Sequence, residues 1–317
     1  MTTTPRIAVL GSMNMDISVT VPRLPVPGAT VLGSAARFAP GGKGGNQAVA
    51  AARLGARVRM AACVGDDDFG SRLSGALRAE GVDAAAVRPV PGAASGLALI
   101  TVDRDGENMI TVAPGANQAV GHAEVTAAFA QPADVLVISA EIPCPAIGSA
   151  LAGAGERHRA CLLNLAPAPA EAASLLHAWA AHVDWLIVNQ SEASALLGHR
   201  VTGLAGARAA AAALAGPLSR PGYAVVTAGA DGAAFDGPGG AATVPGFPVR
   251  AVDSVGSGDA FVGALAVALG GGAPAAAAVR AACAAAAAAA ARRGTQQAMP
   301  RPADVRAITG VTWPPAP

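Results

Sequence analysis

Short β-rich runs alternate with alanine-rich helical stretches along most of this chain, and that alternation points to a parallel sheet covered by helices. Strands are expected at Ile7–Leu10, Val58–Cys63, Val135–Ile138, Ala160–Asn164, Trp185–Val188 and Ala224–Thr227. Helices are expected between them at Asn46–Leu54, Phe69–Glu80, Ala170–Ala181 and Glu192–Leu197. Gly55, Gly81 and Gly198 stand where three of these should stop in a left-handed residue. With 317 residues and 52% hydrophobic content, one large α/β domain can bury its own core. The expected fold is a doubly wound, mostly parallel sheet with helices on both faces, extending over residues 1–317.

Two stretches break the alternation. Ile17–Phe38 carries Pro22, Pro25, Pro27 and Gly28 among β-branched residues, and Ser95–Val112 reads as two strands around the Asp103–Gly106 turn. Strands with no helix between them cannot join the parallel alternation. Insertions at about 17–38 and 95–112 are therefore expected to form a small separate β-sheet, a lid. The alanine runs Ala205–Ala215 and Ala281–Ala291 read as helices with a structural role. Phe261–Val279 is uncharged and long enough to suggest a membrane span, but Gly270, Gly271, Gly272 and Pro274 divide it into two helices joined by a turn.

Composition narrows the partners. Lys and Arg (22) nearly balance Asp and Glu (21), with no dense basic run, so no nucleic-acid or anionic-membrane surface is expected. Cys63, Cys144, Cys161 and Cys283 stand singly, without the pairing of a disulfide framework or a zinc site, and the five histidines lack metal-ligand spacing. The first residues lack the apolar region and cleavage site of a secretory signal. A cytoplasmic protein acting on a small molecule is expected.

The chemistry concentrates in glycine-bearing motifs. The strongest runs from Val252 through Asp253, Ser254, Val255, Gly256, Ser257, Gly258 and Asp259 to Phe261, ahead of an apolar helix. Small residues at 256–258 let backbone N–H groups converge, and the helix adds its positive N-terminal end, so the turn is built for an anion such as a phosphate. Bound phosphate would repel Asp259. A chemical reason for a carboxylate there is to take a proton from a hydroxyl that attacks an arriving phosphoryl group. A plain helix cap is the bland alternative, and it leaves the other motifs unexplained.

The second motif is Pro40 to Gln47, with glycines at 41, 42, 44 and 45 around Lys43 and Asn46. No Ser or Thr follows the lysine, so it is not a P-loop. Its glycines let the backbone approach a ligand, while Lys43 and Asn46 supply donors for hydroxyl oxygens. The third motif is Gly11 to Asp16, where Asn14 and Asp16 project to the same side of an extended chain. A carboxylate there can accept hydrogen bonds from two neighbouring sugar hydroxyls. Weaker signals stand at the carboxyl ends of later strands, where open α/β sheets bind ligands: Glu141, Asn164, Asn189 with Glu192, and the Thr227–Gly232 turn.

In these motifs and their order, from about Ile7 to Pro300, the chain resembles the ribokinase family of sugar kinases. The family's amino-terminal Gly-Gly signature corresponds to 41–47, and its carboxy-terminal Asp-Thr-x-x-x-Gly-Asp signature to 253–259, with Ser254 in place of Thr. The resemblance implies a doubly wound domain with a β-sheet lid, ATP as phosphoryl donor, and a homodimer formed through the lid. It implies that Asn14, Asp16, Gly42, Lys43, Asn46 and Glu141 hold the sugar, and that Asp259 deprotonates its primary hydroxyl. The amides of Gly256, Ser257 and Gly258 are implied in stabilising the transferring phosphoryl group. Asn189, Thr227, Gly229, Gly232, Gly258 and Cys283 are implied at the nucleotide, Cys283 standing where a polar residue often lies near adenine. Glu192 is implied in organising a Mg²⁺ shell through water. A K⁺ site is implied at Asp253 with the carbonyls of Val255, Ala289, Arg292 and Gly294. Where members of the family offer a serine hydroxyl to that cation, this chain has Ala298, a change expected to weaken the site.

The sugar-contacting positions match the residue types of ribose-phosphorylating members, so the resemblance implies D-ribose as acceptor. Deoxyribose would leave a polar partner unpaired, at a cost of about 1–3 kcal/mol. A nucleoside acceptor needs an aromatic wall, and the whole chain has six Phe, three Trp and one Tyr. Deoxyribose, another pentose, a ketohexose or a nucleoside stay as alternatives. A dinucleotide-dependent oxidoreductase would need Gly-x-Gly-x-x-Gly after the first strand, and Gly11-Ser-Met-Asn-Met-Asp16 stands there instead. A non-catalytic sugar-binding protein would be expected to have lost Asp259 or the glycines before it, and both are intact.

Overall fold

The structure is a computed structural model that describes residues 4–155, 158, 160–218 and 222–315. Its strands are β1 (Arg6–Leu10), β2 (Asn14–Thr20), β3 (Arg37–Gly41), β4 (Arg57–Gly65), β5 (Asp83–Val90), β6 (Gly96–Val102) and β7 (Asn108–Ala113). They continue with β8 (Val135–Ser139), β9 (Ala160–Asn164), β10 (Trp185–Asn189), β11 (Tyr223–Thr227), β12 (Gly232–Asp236) and β13 (Ala242–Pro245). Nine of them form one sheet in the order β13-β12-β11-β10-β9-β8-β1-β4-β5, parallel except for β12 and β13. The six strands expected from the sequence are all present at its centre. The outer strands β5, β12 and β13 were not anticipated, because glycine, alanine and Pro89 dilute the β-branched signal there.

The chain runs outward from β1 through β4 to β5, then returns to β8 on the other side of β1. This reversal is the topological switch point at which open α/β sheets bind ligands beyond the strand carboxyl ends. Successive side chains of β1 divide between two cores, Ile7 and Val9 on one face and Ala8 and Leu10 on the other. The first core is closed by α1 (Lys43–Arg53), α2 (Asp68–Ala79), α8 (Ser257–Gly270) and α9 (Ala275–Ala290). The second is closed by α3 (His122–Ala128), α4 (Cys144–Ala154), α5 (Ala172–Trp179), α6 (Gln190–Leu197) and α7 (Gly203–Ala215). Each fully buried Leu, Ile or Met contributes about 1.5–3 kcal/mol to holding these layers together.

Gly55, Gly81 and Gly198 have φ of 99°, 78° and 70°, the left-handed helix stops expected of them. The apolar stretch from Phe261 is divided by the Gly270–Pro274 turn into α8 and α9, and among the described residues no helix is long and apolar enough to cross a membrane. The expected helix at 170–181 is shorter, because its last residues tighten into a 3-10 turn at Ala180–His182.

The remaining four strands form the separate small sheet, in the order β3-β2-β6-β7. The proline-rich segment 21–36 contributes no strand, and the pairing of β2 with β3 resumes at Arg37. β1 ends at Leu10 and β2 starts at Asn14, so the small sheet rises directly from the carboxyl end of β1.

Candidate active site

Glycine packing brings the second and third motifs together. A Cβ on Gly11 would strike Ser139 Oγ and the Gly44 Cα, and one on Gly44 would meet the Gly11 backbone. Gly42 has φ 84°, and a side chain there would meet the Asn14 amide nitrogen at 2.6 Å. With this glycine as its cap, α1 starts at Lys43, three residues before the expected start at Asn46. Lys43 and Asn46 therefore share the first turn and one helix face.

Asn14 and Asp16 lie together on β2, 2% and 8% exposed. The Asp16 carboxylate fills the space beside Gly41 where a Cβ would stand, and its Oδ2 accepts a hydrogen bond from Thr295 Oγ1 at 3.2 Å. Burial pushes the Asp16 carboxyl up to about 7, against the pull of Thr295 and with the help of neighbouring Glu141 and Asp259. Glu141 Oε2 accepts from Ser12 Oγ at 2.6 Å, the Lys43 N–H at 3.3 Å and Asn14 Nδ2 at 3.5 Å. Burial disfavours the Lys43 ammonium, but Asp259, Glu141, Glu192 and Asp16 outweigh it and hold this lysine above its ordinary value.

Asp259 comes from the other side of the same face of the sheet. Gly256, at φ 79°, is the N-cap of α8; the Ser257 N–H turns back to the Ser254 carbonyl at 3.2 Å, and the Ala260 N–H donates to the Gly256 carbonyl at 2.9 Å. The following first-turn amides, Gly258 among them, are the ones a helix start leaves for a ligand. One turn further on, Gly263 lets α8 lie against α1, since a Cβ there would come 2.7 Å from Ala50 Cβ. That approach delivers Asp259 between two carboxamides. Its Oδ2 accepts from Asn46 Nδ2 at 2.8 Å, and its Oδ1 from Gln47 Nε2 at 3.0 Å. Gln47 Nε2 also reaches Asn164 Oδ1 at 2.9 Å. Burial raises the Asp259 carboxyl, while the Lys43 ammonium and the two amide donors pull it back toward ionisation. The carboxamide oxygens of Asn46 and Gln47 and the Ser257 hydroxyl are buried with no hydrogen-bond partner among the described residues.

A small cavity of about 110 Å³ lies against Lys43, Asn164, Asn189, Glu192 and Asp259. Thr227 and Gly258 line both it and a larger cleft of about 450 Å³, so the two adjoin. The larger cleft runs over Gly229 and Gly232 to a mostly apolar end formed by Phe247, Val249, Cys283 and Ala287. Burial pushes the Cys283 thiol up to about 12, leaving it a neutral wall. Asn189 and Glu192 form a reciprocal capping box at the start of α6: Asn189 Oδ1 accepts from the Glu192 N–H at 2.9 Å, and Glu192 Oε2 from the Asn189 N–H at 2.8 Å. Burial raises the Glu192 carboxyl despite that bond and nearby Lys43.

Behind the Gly256–Gly258 turn, Asp253 joins two loops. Its Oδ1 accepts from the Val255 N–H at 3.1 Å and its Oδ2 from the Gly294 N–H at 3.0 Å. The Ala289 carbonyl accepts the Arg292 N–H at 2.9 Å, and the Arg292 guanidinium is held by both oxygens of Asp304 at 2.8 Å. Ala298 is buried nearby on the same returning segment. Among the described residues no group of three or more His, Cys, Asp or Glu side chains is placed to hold a metal.

Lys43, Asn164, Asn189, Glu192, Thr227, Gly258 and Asp259 thus line one cavity, Asn46 and Glu141 are hydrogen-bonded to members of it, and Asp253 and Gly294 stand apart from it. Sequence reasoning did not assign Ser12, Gln47, Gly263 or Thr295, and it passed over Asn117, whose amide touches Asn14. Ser12 and Gln47 lay within motifs already singled out; Gly263, Thr295 and Asn117 act across long sequence separations that no local pattern marks.

Residues 4–302 match the model of the pfkB family carbohydrate kinases. The chain is 37% identical to the ribokinase of Bacillus subtilis over 83% of its own length and 85% of that protein's. It is 33% identical to the deoxyribokinase of Salmonella typhi over 82% and 84%. The solved ribokinase of Arabidopsis thaliana, complexed with ribose and ATP, superposes with a TM-score of 0.82 at 26% identity, covering 98% of this chain and 100% of that one. The chain belongs to the pfkB family of carbohydrate kinases.

Proposed function

We propose that this chain transfers the γ-phosphoryl group of ATP to the primary hydroxyl of D-ribose, giving ribose 5-phosphate and ADP. One observation carries the reading. A buried carboxylate, Asp259, sits at a helix start between a polar cluster suited to hydroxyls and a cleft that ends in apolar walls suited to a purine.

In this reading Asn14, Asp16, Lys43, Asn46 and Glu141 hold the sugar over Gly42, with the free carboxamide oxygen of Asn46 as a further acceptor. Asn189, Thr227, Gly229 and Gly232 line the path of the nucleotide, with Cys283 at the base. Asp259 accepts the hydroxyl proton as the new O–P bond forms and the bond from the γ-phosphorus to the bridging oxygen of ADP breaks. The two amides on its oxygens aim the carboxylate and favour its charged form. The amides at 256–258 face the charge that develops on the transferring group, with that of Ser257 also bonded to Ser254. Closure of the small sheet over the sugar would keep water from competing as acceptor.

The donor set fits a Mg²⁺ held mainly by phosphate oxygens and water, with Glu192 in its outer shell; bound there, the ion neutralises phosphate charge. Asp253 and the carbonyls of Val255, Ala289, Arg292 and Gly294 fit a K⁺ behind the anion turn. Asp253 already ties the two loops that carry them, and Ala298 contributes no side-chain oxygen. We also propose a homodimer in the cytoplasm. Phe38, Leu99 and Met109, each 47–48% exposed, share by register the face of the small sheet opposite Asn14 and Asp16, an apolar surface that a second copy can cover, and the sequence shows no cysteine pairing of the kind a secreted disulfide framework uses.

The test is ADP release from MgATP across ribose, deoxyribose, fructose, other pentoses and nucleosides, each with and without K⁺. Turnover strongest with ribose is expected. Turnover confined to deoxyribose would move this chain beside its deoxyribokinase relative, and silence on every acceptor would refute the kinase reading.

A further inference from the structure

Asn117 stands outside the cluster assigned to the sugar, on the 3-10 helix Gly115–Ala119 that follows β7, and it is 1% exposed. Its Oδ1 accepts from the Met13 N–H at 2.9 Å. Its Nδ2 donates to the Met13 carbonyl at 3.2 Å and to Asn14 Oδ1 at 2.7 Å. A backbone amide only donates and a backbone carbonyl only accepts, so Met13 permits one orientation of the Asn117 carboxamide. That orientation aims a donor at Asn14 and makes oxygen the Asn14 atom that faces it. The Asn14 NH₂ group is thereby turned toward Glu141 Oε2, 3.5 Å away. Ser12 and the Lys43 amide donate to the same oxygen, so Glu141 Oε1 is engaged by none of the three.

We propose that Asn117 is a positioning residue that fixes the polarity of Asn14, and through it the Asn14–Glu141 pair presented to the sugar. The proposal deepens the sugar-kinase reading above and rests on it. The location supplies a second argument. β2 begins at Asn14 and β6 at Gly96, directly paired, and a Cβ on Gly96 would strike both Asn14 Oδ1 and Asn117 Nδ2. β7 returns into the Asn117 turn, where the Ala116 N–H donates to the Ala94 carbonyl at 2.8 Å. Three segments of the small sheet thus meet the body of the protein at this carboxamide pair. With Asn14 reversed, its oxygen would face the Glu141 carboxylate and repel it.

Asn117→Asp keeps the shape and the acceptor for the Met13 amide but removes both donors. Its expected effect is a sugar KM raised about ten- to a hundredfold, with kcat and the MgATP KM within about threefold of wild type. In a cycle with Asn14→Ala, the Asn117→Asp effect on sugar KM should disappear, because the group it positions is gone. Asn117→Ser, which also removes the donor to Asn14, gives the same cycle if the aspartate variant folds poorly. Additive effects in the cycle, or an equal rise in MgATP KM, would assign Asn117 to packing alone and overturn the proposal. A wild-type protein silent on every sugar would overturn the sugar-kinase reading and the proposal together, whereas an active wild type with additive variants would overturn the proposal alone.

Discussion

The two ends of the pocket are built on opposite plans. At the end assigned to the sugar, Asn14, Asp16, Glu141 and Asn46 are each already hydrogen-bonded to another protein group, and three of them are buried. At the end assigned to the nucleotide, the cleft offers glycines, alanines, Phe247 and a neutral thiol, with few side-chain hydrogen-bonding groups. Buried polar groups are costly when unpaired, so a pre-bonded array accepts a ligand whose hydroxyls match it and penalises one that lacks them. An apolar slot binds by area and shape, and discriminates less. Selectivity is thus expected to reside at the sugar end and tolerance at the nucleotide end. Asp259 sits at the border of the two.

The largest expected effect removes that border. Asp259→Asn should lower kcat by roughly 10²–10⁴ with little change in sugar affinity, since the amide keeps the shape but cannot accept the proton. Sugar affinity can be read by calorimetry on the same sample; a variant that kept full activity would remove Asp259 from the mechanism.

At the sugar end, Asp16→Asn should raise sugar KM by about tenfold to a hundredfold and leave MgATP KM nearly unchanged, because a charged acceptor for two hydroxyls is lost. The wild type should also show a pH signature. With Asp16 at about 7, its charged form grows as pH rises through neutrality, so sugar KM should fall between about pH 6 and 8, and Asp16→Asn should flatten that fall. The sign for stability is the reverse. The folded pKa lies above the ordinary 3.8, so the folded state holds the extra proton between the two values, and this group's contribution to stability declines as pH rises from 3.8 to about 7. Thermal melts of wild type and Asp16→Asn across that window check it.

A smaller effect tests how the border is held. Gly263→Ala should destabilise by about 1–3 kcal/mol, since the added methyl meets the α1 backbone as well as Ala50, and kcat should fall as Asp259 is displaced from Asn46 and Gln47. Denaturant midpoints and kcat together measure it. Smallest of all, Cys283→Thr should change MgATP KM by no more than about threefold, because that wall contributes shape. A change of tenfold or more would show that the base is read by specific hydrogen bonds, and the contrast between the two ends would fail.

Much of this was legible before the fold was known, for physical reasons that differ by region. The central strands are continuous β-branched and leucine-rich runs buried on both faces, so β8 and β10 announce themselves, whereas the edge strand Asp83–Val90 alternates exposed and buried alanines and does not. Gly55, Gly81 and Gly198 were readable as helix stops because a positive φ is a local property of glycine. The turn that carries Asp259 was readable because its small residues at 256–258 are contiguous in sequence. Its supports were not. Gly263 looks like any small residue in an alanine-rich helix until α1 is seen against it, and Asn117 is more than one hundred positions from the Asn14 it orients. Nor did the sequence place the start of α1 at Lys43, because glycines at 44 and 45 argue against helix on propensity, while packing against Gly11 and Met60 leaves room for nothing larger than glycine at 44.

The most direct test of the central claim is the identity of the product formed from ribose and MgATP, read by phosphorus NMR together with ADP release. The expected result is ribose 5-phosphate in one-to-one yield with ADP, formed by the wild type and not detectably by Asp259→Asn over the same time. Ribose 1-phosphate would contradict the orientation of the sugar over Asp259, and ADP released with free phosphate but no sugar phosphate would contradict the transfer itself.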